Sequence, residues 1–156
     1  MTRLLGLLGA LLVTLPASGN EELDALFDRD VLIIEASQHA CYRIDIYVAL
    51  TNAQRSRGLM FVRELPETAG MLFVYPGDYV VSMWMKNTFI PLDMVFARTD
   101  GTVTNVIRDT EPQSLTSLAS TEPVAFVLEL NAGTAERLII DENSRLFWEP
   151  AHRDNE

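Results

Sequence analysis

Residues 82–96 read SMWMKNTFIPLDMVF, and this stretch predicts a strand, a corner and a second strand. The corner begins at Asn87, a residue type that favours turns. Pro91 fixes its own φ angle and cannot donate a backbone hydrogen bond to a neighbouring strand, so the first strand must end before it. The extended pattern resumes at Leu92 and continues through Phe96. Two strands joined by a short corner are typical of an antiparallel sheet.

The sequence of the first strand predicts two faces with different side chains. Its alternation puts Trp84 and Lys86, the only lysine of the chain, on one face, and Met83 and Met85 on the other. The indole offers a flat apolar surface, and the ammonium group follows two residues later, about 7 Å along a strand. This pair suits a ligand that joins an apolar or sugar ring to an anionic group.

The rest of the chain is also dominated by short extended segments. Apolar runs and period-two alternation predict strands at 31–36, 42–50, 70–75, 79–85, 92–97, 102–107, 123–130 and 145–149. Turn residues at 76–78 and 99–101 predict hairpins between the strands that flank them. The predicted fold class is therefore α+β, mainly antiparallel β, with a curled sheet or partly open barrel and two short helices.

The two helices are predicted from their capping residues. Thr51 and Gln54 have the spacing of a capping box, which predicts a helix that runs to about Arg57 and ends at Gly58. Asn131 is predicted to cap the second helix, which would continue through residue 138.

The amino-terminal residues 1–19 have the features of a secretory signal peptide. Arg3 precedes an apolar run that is too short to span a bilayer, and small residues follow it. Cleavage would deliver a protein that is periplasmic or secreted and not stably inserted in a membrane. A retained membrane anchor is the alternative.

The remaining residues divide into three parts. Residues 20–30 are acidic and predict either an exposed leader or a short, marginal helix. Residues 31–149 are predicted to form a single globular domain, because 48% of the chain is apolar and can supply a core. Residues 150–156 are predicted to be a loose C-terminal tail.

Charge and motifs exclude several classes of function. The net charge of −10 makes nucleic acids and anionic membrane surfaces poor partners. The sequence contains no dinucleotide-binding, phosphate-loop, zinc-protease or nucleophile-elbow motif, so we predict no cofactor. His39 and Cys41 supply only two neighbouring zinc ligands, so we predict no metal site there. Cys41, the only cysteine, is predicted to be a small buried residue at a strand edge, and a reactive thiol is the alternative.

Two acidic residues interrupt apolar strands. Asp93 and Glu129 would each be costly as an unpaired buried charge, so each needs a partner. One hypothesis is that Lys86, Arg57 and these carboxylates form structural ion pairs. The other is that they form a binding or catalytic cluster, because ion-pair networks and active sites resemble each other in sequence.

The distribution of the methionines suggests a copper site as a further possibility. Apart from Met1, every methionine falls between Met60 and Met94, and an exported chain with Met83 and Met85 on one strand face could bind Cu(I) through thioether sulfur. The simpler interpretation is core packing, since methionine readily fills gaps between other side chains.

Four blocks of sequence resemble the family known as domain of unknown function 192. They read RGLM at 57–60, GMLF at 70–73, MKNTFIPLDM at 85–94 and VLELNAG at 127–133. The chain departs from the family at Met83, where an aromatic residue is usual, and at 141–144, where a glycine turn is usual. The resemblance implies a compact, largely β domain that is often exported, and it implies no established activity and no catalytic residues.

The leading functional hypothesis is a small binding or accessory module for an extracytoplasmic small molecule or protein. The candidate ligand-binding residues are Trp84, Lys86, Asn87, Asp93, Glu129 and Arg57. One alternative is a small hydrolase that uses Asp93 or Glu129 as a general base. The second alternative is the methionine-based binding of Cu(I).

Overall fold

The computed structural model describes residues 20–150. The strands are β1 (Asp28–Glu35), β2 (Cys41–Ala49), β3 (Ala69–Tyr79), β4 (Ser82–Met83), β5 (Leu92–Ala97), β6 (Val103–Ile107), β7 (Leu118–Ala119), β8 (Val124–Asn131) and β9 (Arg145–Phe147). The helices are α1 (Glu21–Leu26), α2 (Asn52–Arg57) and α3 (Thr134–Arg137). The predicted signal peptide and residues 151–156 of the predicted tail lie outside the described residues.

Seven of the strands form one curled sheet in the order β6-β5-β8-β3-β2-β1-β9. All neighbouring pairs are antiparallel except β2 and β3, which run parallel. An antiparallel bridge between Thr102 and Arg145 joins the two outer edges, and the amide of Leu146 donates to the carbonyl of Gly101 at 2.8 Å. The predicted class, a mainly antiparallel sheet curled toward a barrel, is confirmed, with three short helices where the sequence predicts two.

Gly101 is what allows the two edges to approach this closely. Its φ is +85°, and a Cβ atom at this position would lie 1.9 Å from the carbonyl oxygen of Leu146. Any larger residue would therefore push the edges apart.

The two faces of the sheet bury separate apolar clusters. One cluster takes side chains from all seven strands and fills the inside of the curled sheet. The other lies on the outer face, mainly on β3, β5 and β8, and is covered by α1 and by the loops around residues 59–65 and 81–92. Because successive side chains of a strand point to opposite faces, the position of each residue in its strand decides which cluster it joins.

The hairpin predicted around residues 76–78 is wrong. β3 continues through these residues, and its pairing with β8 shifts register between Val74 and Tyr79. An irregularity of this kind tolerates Pro76, whose missing N–H would disrupt a regular ladder. β4 then leaves the main sheet and pairs with β7 in a small second sheet.

The amino-terminal segment belongs to the folded structure. Of the two alternatives predicted for residues 20–30, the short helix is present as α1, which the side chain of Asn20 caps. The prediction of an exposed leader is wrong, because Leu23 and Phe27 are buried in the outer-face cluster. β1 begins at Asp28, three residues before the predicted start. None of the helices within residues 20–150 has the length and apolar character needed to cross a membrane.

The capping predictions had different outcomes. The box formed by Thr51 and Gln54 is confirmed, and Gly58 follows α2. Asn131 does not cap α3, because it lies in β8 and its side-chain amide donates to the carbonyl of Leu65 at 2.9 Å.

The predicted burial of Cys41 is wrong, because this residue is exposed at the start of β2.

Candidate functional site

A cleft of about 350 Å³ lies on the outer face of the sheet, between α2 and the segment that follows β4. Its lining combines cations, aromatic rings, thioethers and one carboxylic acid. The residues are Asn52, Arg55, Ser56, Arg57, Gly58, Leu59, Met60, Phe73, Tyr75, Ser82, Met83, Trp84, Lys86, Thr88 and Glu129. A volume of this size is at the lower end of the range for small-molecule sites.

Glu129 is the buried acid of this cleft. It lies in β8 opposite Met71 of β3 and Met94 of β5, and only 4% of its surface is exposed. Within residues 20–150 its side chain makes no hydrogen bond and no ion pair. Burial raises the pKa of Glu129 from 4.5 to about 8, so the group is a neutral acid at pH 7.

Trp84 and Lys86 form an exposed part of the cleft wall. Their alternation with the inward-facing Met83 and Met85 is confirmed by burial, although the regular strand ends at Met83. The ammonium nitrogen of Lys86 lies 5.2 Å from the centre of the Trp84 ring, in a cation–π contact. Lys86 has no carboxylate partner among the described residues, and 52% of the Trp84 surface is exposed.

The two arginines of α2 are held by other groups of the protein. Arg57 donates to the carbonyl oxygen of Met60 and forms an ion pair with Glu22 of α1. Arg55 donates to the carbonyl of Val74 at 2.7 Å, and also to the carbonyl of Leu50 and the side chain of Asn52. Both guanidinium groups therefore contribute positive charge to the cleft while their hydrogen bonds position the chain.

Tyr75 links Arg55 to the buried acid. The Arg55 guanidinium lies 5.1 Å from the centre of the Tyr75 ring. Burial raises the pKa of the Tyr75 hydroxyl; the charge of Arg55 opposes this shift, and that of Glu129 adds to it. The Tyr75 hydroxyl donates to the sulfur of Met83 at 3.6 Å.

Asp93 lies away from the cleft. Its oxygens accept the amides of Asp109 at 2.9 Å and Ala135 at 2.8 Å, and the side chain is fully buried. Asp93 pairs with Leu130 in the sheet, whereas Glu129 pairs with Met94, so the two carboxyl groups point to opposite faces. Asp93 thus joins β5 to the start of α3 and has a structural role.

Asn87 is next to the cleft but outside its lining. It has a φ of 56°, and its carbonyl accepts the amide of Phe61 at 2.8 Å. Its side chain lies 3.9 Å from the sulfur of Met60, which does line the cleft. Asn87 therefore shapes the corner that places Lys86.

The structure thus brings together four of the six predicted site residues: Arg57, Trp84, Lys86 and Glu129. The hypothesis of an ion-pair network among Lys86, Arg57, Asp93 and Glu129 is wrong. In the described part of the chain Arg57 is the only one of the four with a salt-bridge partner, and that partner is Glu22 of α1. The prediction missed Arg55 and Tyr75. The alternation of β3 could have indicated Tyr75, which shares a face with Phe73, whereas no sequence signal distinguishes Arg55 from other exposed helical arginines.

Three of the methionine sulfur atoms have different polar neighbours. The sulfur atoms of Met60, Met83 and Met85 are next to three different groups, Asn87, Tyr75 and Thr110. Met85 is fully buried, while Met60 and Met83 line the cleft. Core packing accounts for Met85 without a metal ion.

The fold and the cleft together define a class of small, nearly closed barrels with a charged, aromatic-walled cleft on the outer face. This chain belongs to the DUF192 family, described as an uncharacterized ACR, which it matches over residues 33–148. No curated protein matches it.

Two solved structures are similar to this chain. A protein from Sinorhizobium meliloti 1021, provisionally described as a transcription regulator, is 37% identical and has a TM-score of 0.76, and the match covers 78% of this chain and 94% of that one. A protein of unknown function from Novosphingobium aromaticivorans DSM 12444 is 30% identical and has a TM-score of 0.75, with coverage of 89% and 94%.

Proposed function

We propose that this protein is a binding module whose ligand is a small molecule with an anionic group and a ring, held in the cleft above Glu129. The observation that carries the proposal is the buried carboxyl group of Glu129, which no other described group hydrogen-bonds or neutralises. No enclosed side-chain oxygen or nitrogen of the described residues lacks a hydrogen-bond partner, so the unpartnered oxygens of Glu129 must be accessible from the cleft that Glu129 lines. A ligand in the cleft can therefore supply the hydrogen bond that the protein does not.

The other cleft residues suit the same ligand. The ammonium group of Lys86 has no carboxylate partner among residues 20–150, and Arg55 adds a second positive charge. Trp84 offers an exposed ring surface on which a planar group or sugar can stack. With Glu129 neutral at pH 7, the cleft is locally positive even though the whole chain carries a net charge of −10.

We further propose that the module acts outside the cytoplasm after removal of residues 1–19. The S. meliloti relative is provisionally described as a transcription regulator. The net charge of −10 disfavours direct binding of this chain to nucleic acid, so we extend no such role to it.

A hydrolase is the second candidate, because a buried acid with a strongly raised pKa in a cleft is typical of catalytic sites. A group that is protonated at pH 7 would serve as a general acid, in place of the general base that the sequence suggests. Asp93 lacks the position for this role, since both its oxygens accept backbone amides away from the cleft.

A ligand-stabilisation screen tests the proposal. Small ring-bearing anions should raise the melting temperature of the wild type, since ligands that bind the folded state stabilise it. The Lys86→Met variant should fold normally and lose this response, because it lacks the unpaired cation. Arg137→Met, which removes an exposed cation of α3 outside the cleft, is the matched control and should respond like the wild type.

Three outcomes separate the candidates. Equal stabilisation of wild type and Lys86→Met would contradict the cleft as the binding site, and a screen without any stabilising ligand would contradict a binding function. Turnover of a ligand that is lost in Glu129→Gln would favour the hydrolase.

A further inference from the structure

We infer that the ligand of the cleft is a monocarboxylate, and that the Glu129 carboxyl group recognises it by donating its proton in a carboxyl–carboxylate hydrogen bond. This inference rests on the proposed binding function and names the chemical class of its ligand. It follows from which groups in the cleft are free to bind and which are already engaged.

The arginines are the first consideration. Phosphate groups are typically recognised by the planar fork of an arginine guanidinium. Here the Arg57 group is engaged by the carbonyl of Met60 and by Glu22, and the Arg55 group by two backbone carbonyls and Asn52. These contacts hold the guanidinium groups in the protein's own structure and leave the cleft poorly suited to a phosphoryl dianion.

Two groups of the cleft are free. Lys86 provides a point charge that lies over the Trp84 ring and makes no ion pair or side-chain hydrogen bond within residues 20–150, and Glu129 provides one O–H donor that no described residue uses. One positive charge and one acidic O–H complement a group with one negative charge and two acceptor oxygens. A carboxylate is such a group, and an O–H donor to an anionic oxygen makes a short, strong hydrogen bond.

The surroundings of Glu129 favour the proton-donating form. The residues opposite it in β3 and β5 are the methionines Met71 and Met94, which cannot neutralise a carboxylate. The titratable and charged groups around the cleft are Arg55 and Arg57 from α2, Tyr75 from β3 and Lys86 after β4. Burial outweighs them, so the pKa of Glu129 is about 8 and the proton is present at pH 7.

The test measures the binding of four probes by isothermal titration calorimetry. Benzoate and glucuronate are monocarboxylates on an aromatic and on a sugar ring, benzamide is a neutral analogue of benzoate, and phenyl phosphate carries a phosphoryl group. At pH 6.5 we expect benzoate or glucuronate to bind, and benzamide to bind at least tenfold more weakly than benzoate. Which carboxylate binds more tightly identifies the type of ring that Trp84 accepts.

The role of Glu129 is tested by pH. Raising the pH from 6.5 to 9 ionises a group with a pKa of about 8 and should weaken carboxylate binding by about tenfold. Glu129→Gln keeps an N–H donor but cannot ionise, so it should bind the carboxylate with little dependence on pH over this range. Arg137→Met should show the same pH dependence as the wild type.

Each contrary result has a definite meaning. Tighter binding of phenyl phosphate than of either carboxylate would overturn the inference and leave the proposed binding function in place. Carboxylate binding that is equally strong at pH 6.5 and 9, or whose decline persists in Glu129→Gln, would overturn the role of Glu129. If no carboxylate among the probes or the screen binds while other ligands do, the inference is wrong, and if no ligand of any class binds, the proposed function fails.

Discussion

Replacing Glu129 by glutamine should make the protein more stable, and increasingly so as the pH rises. The substitution keeps the shape of the side chain and removes its ability to ionise. Glutamine places a neutral amide where the wild type has a carboxylic acid. The variant and the wild type should therefore have similar stability at a pH where the acid is neutral in both the folded and the unfolded state. The predicted effect is therefore a difference that depends on pH.

The magnitude follows from the pKa of the buried acid. The unfolded chain releases the Glu129 proton near pH 4.5, whereas the folded protein retains it until about pH 8. In this window the folded state binds more protons than the unfolded state, so stability falls as the pH rises, by about 1.4 kcal/mol for each pH unit. The accumulated cost above pH 8 is on the order of 5 kcal/mol, comparable to the whole stability of a marginal domain.

Urea denaturation of both proteins at a series of pH values between about pH 5 and pH 9 measures this effect. The free energy of unfolding of Glu129→Gln minus that of the wild type should grow across the range by several kcal/mol. Glu142→Gln, which removes an exposed carboxylate outside the cleft, is the control and should give a difference that stays nearly constant. A constant difference for Glu129→Gln would refute the reasoning, because it would mean that the folded protein solvates or pairs the carboxylate.

Two further predictions concern the fold and the location of the protein. Asp93→Ala leaves the amides of Asp109 and Ala135 without their acceptor. Urea denaturation should therefore show a free energy of unfolding that is lower by about 2–5 kcal/mol. A loss below about 0.5 kcal/mol would contradict a structural role for Asp93. Mass spectrometry of the exported protein should give a mature terminus after residue 19, and a terminus at Met1 or Thr2 in a membrane fraction would contradict export by signal cleavage.

The candidate site could be predicted only in part. The choice of Trp84 and Lys86 depended on the alternation of adjacent residues, and this property survives even where the regular strand is only two residues long. The sequence could not separate Asp93 from Glu129, because each is an acid inside an apolar strand, and the structure places them on opposite faces of the sheet. The sequence does not reveal that the amides of Asp109 and Ala135 already satisfy the oxygens of Asp93.

Local patterns determined most of the secondary structure. Period-two alternation predicted β2, the capping box predicted α2, and the Asp-Gly turn at residues 100–101 predicted the hairpin of β5 and β6. These features depend on side chains within a few residues of one another, so their physical causes are contained in the sequence of each segment. The similarity of four sequence blocks to the DUF192 family likewise required no tertiary structure.

Tertiary structure alone decided how the strands pair and which groups meet. The parallel pairing of β2 with β3 and the bridge that nearly closes the barrel join residues distant in sequence. The register of β5 against β8 places Met94 opposite Glu129, and a shift of one residue would reverse the faces of a strand. What packs around Glu129 therefore makes it buried, leaves it without a hydrogen-bond or ion-pair partner among residues 20–150, and keeps it neutral at pH 7. Its neighbouring residues in β8 contain no sign of this state.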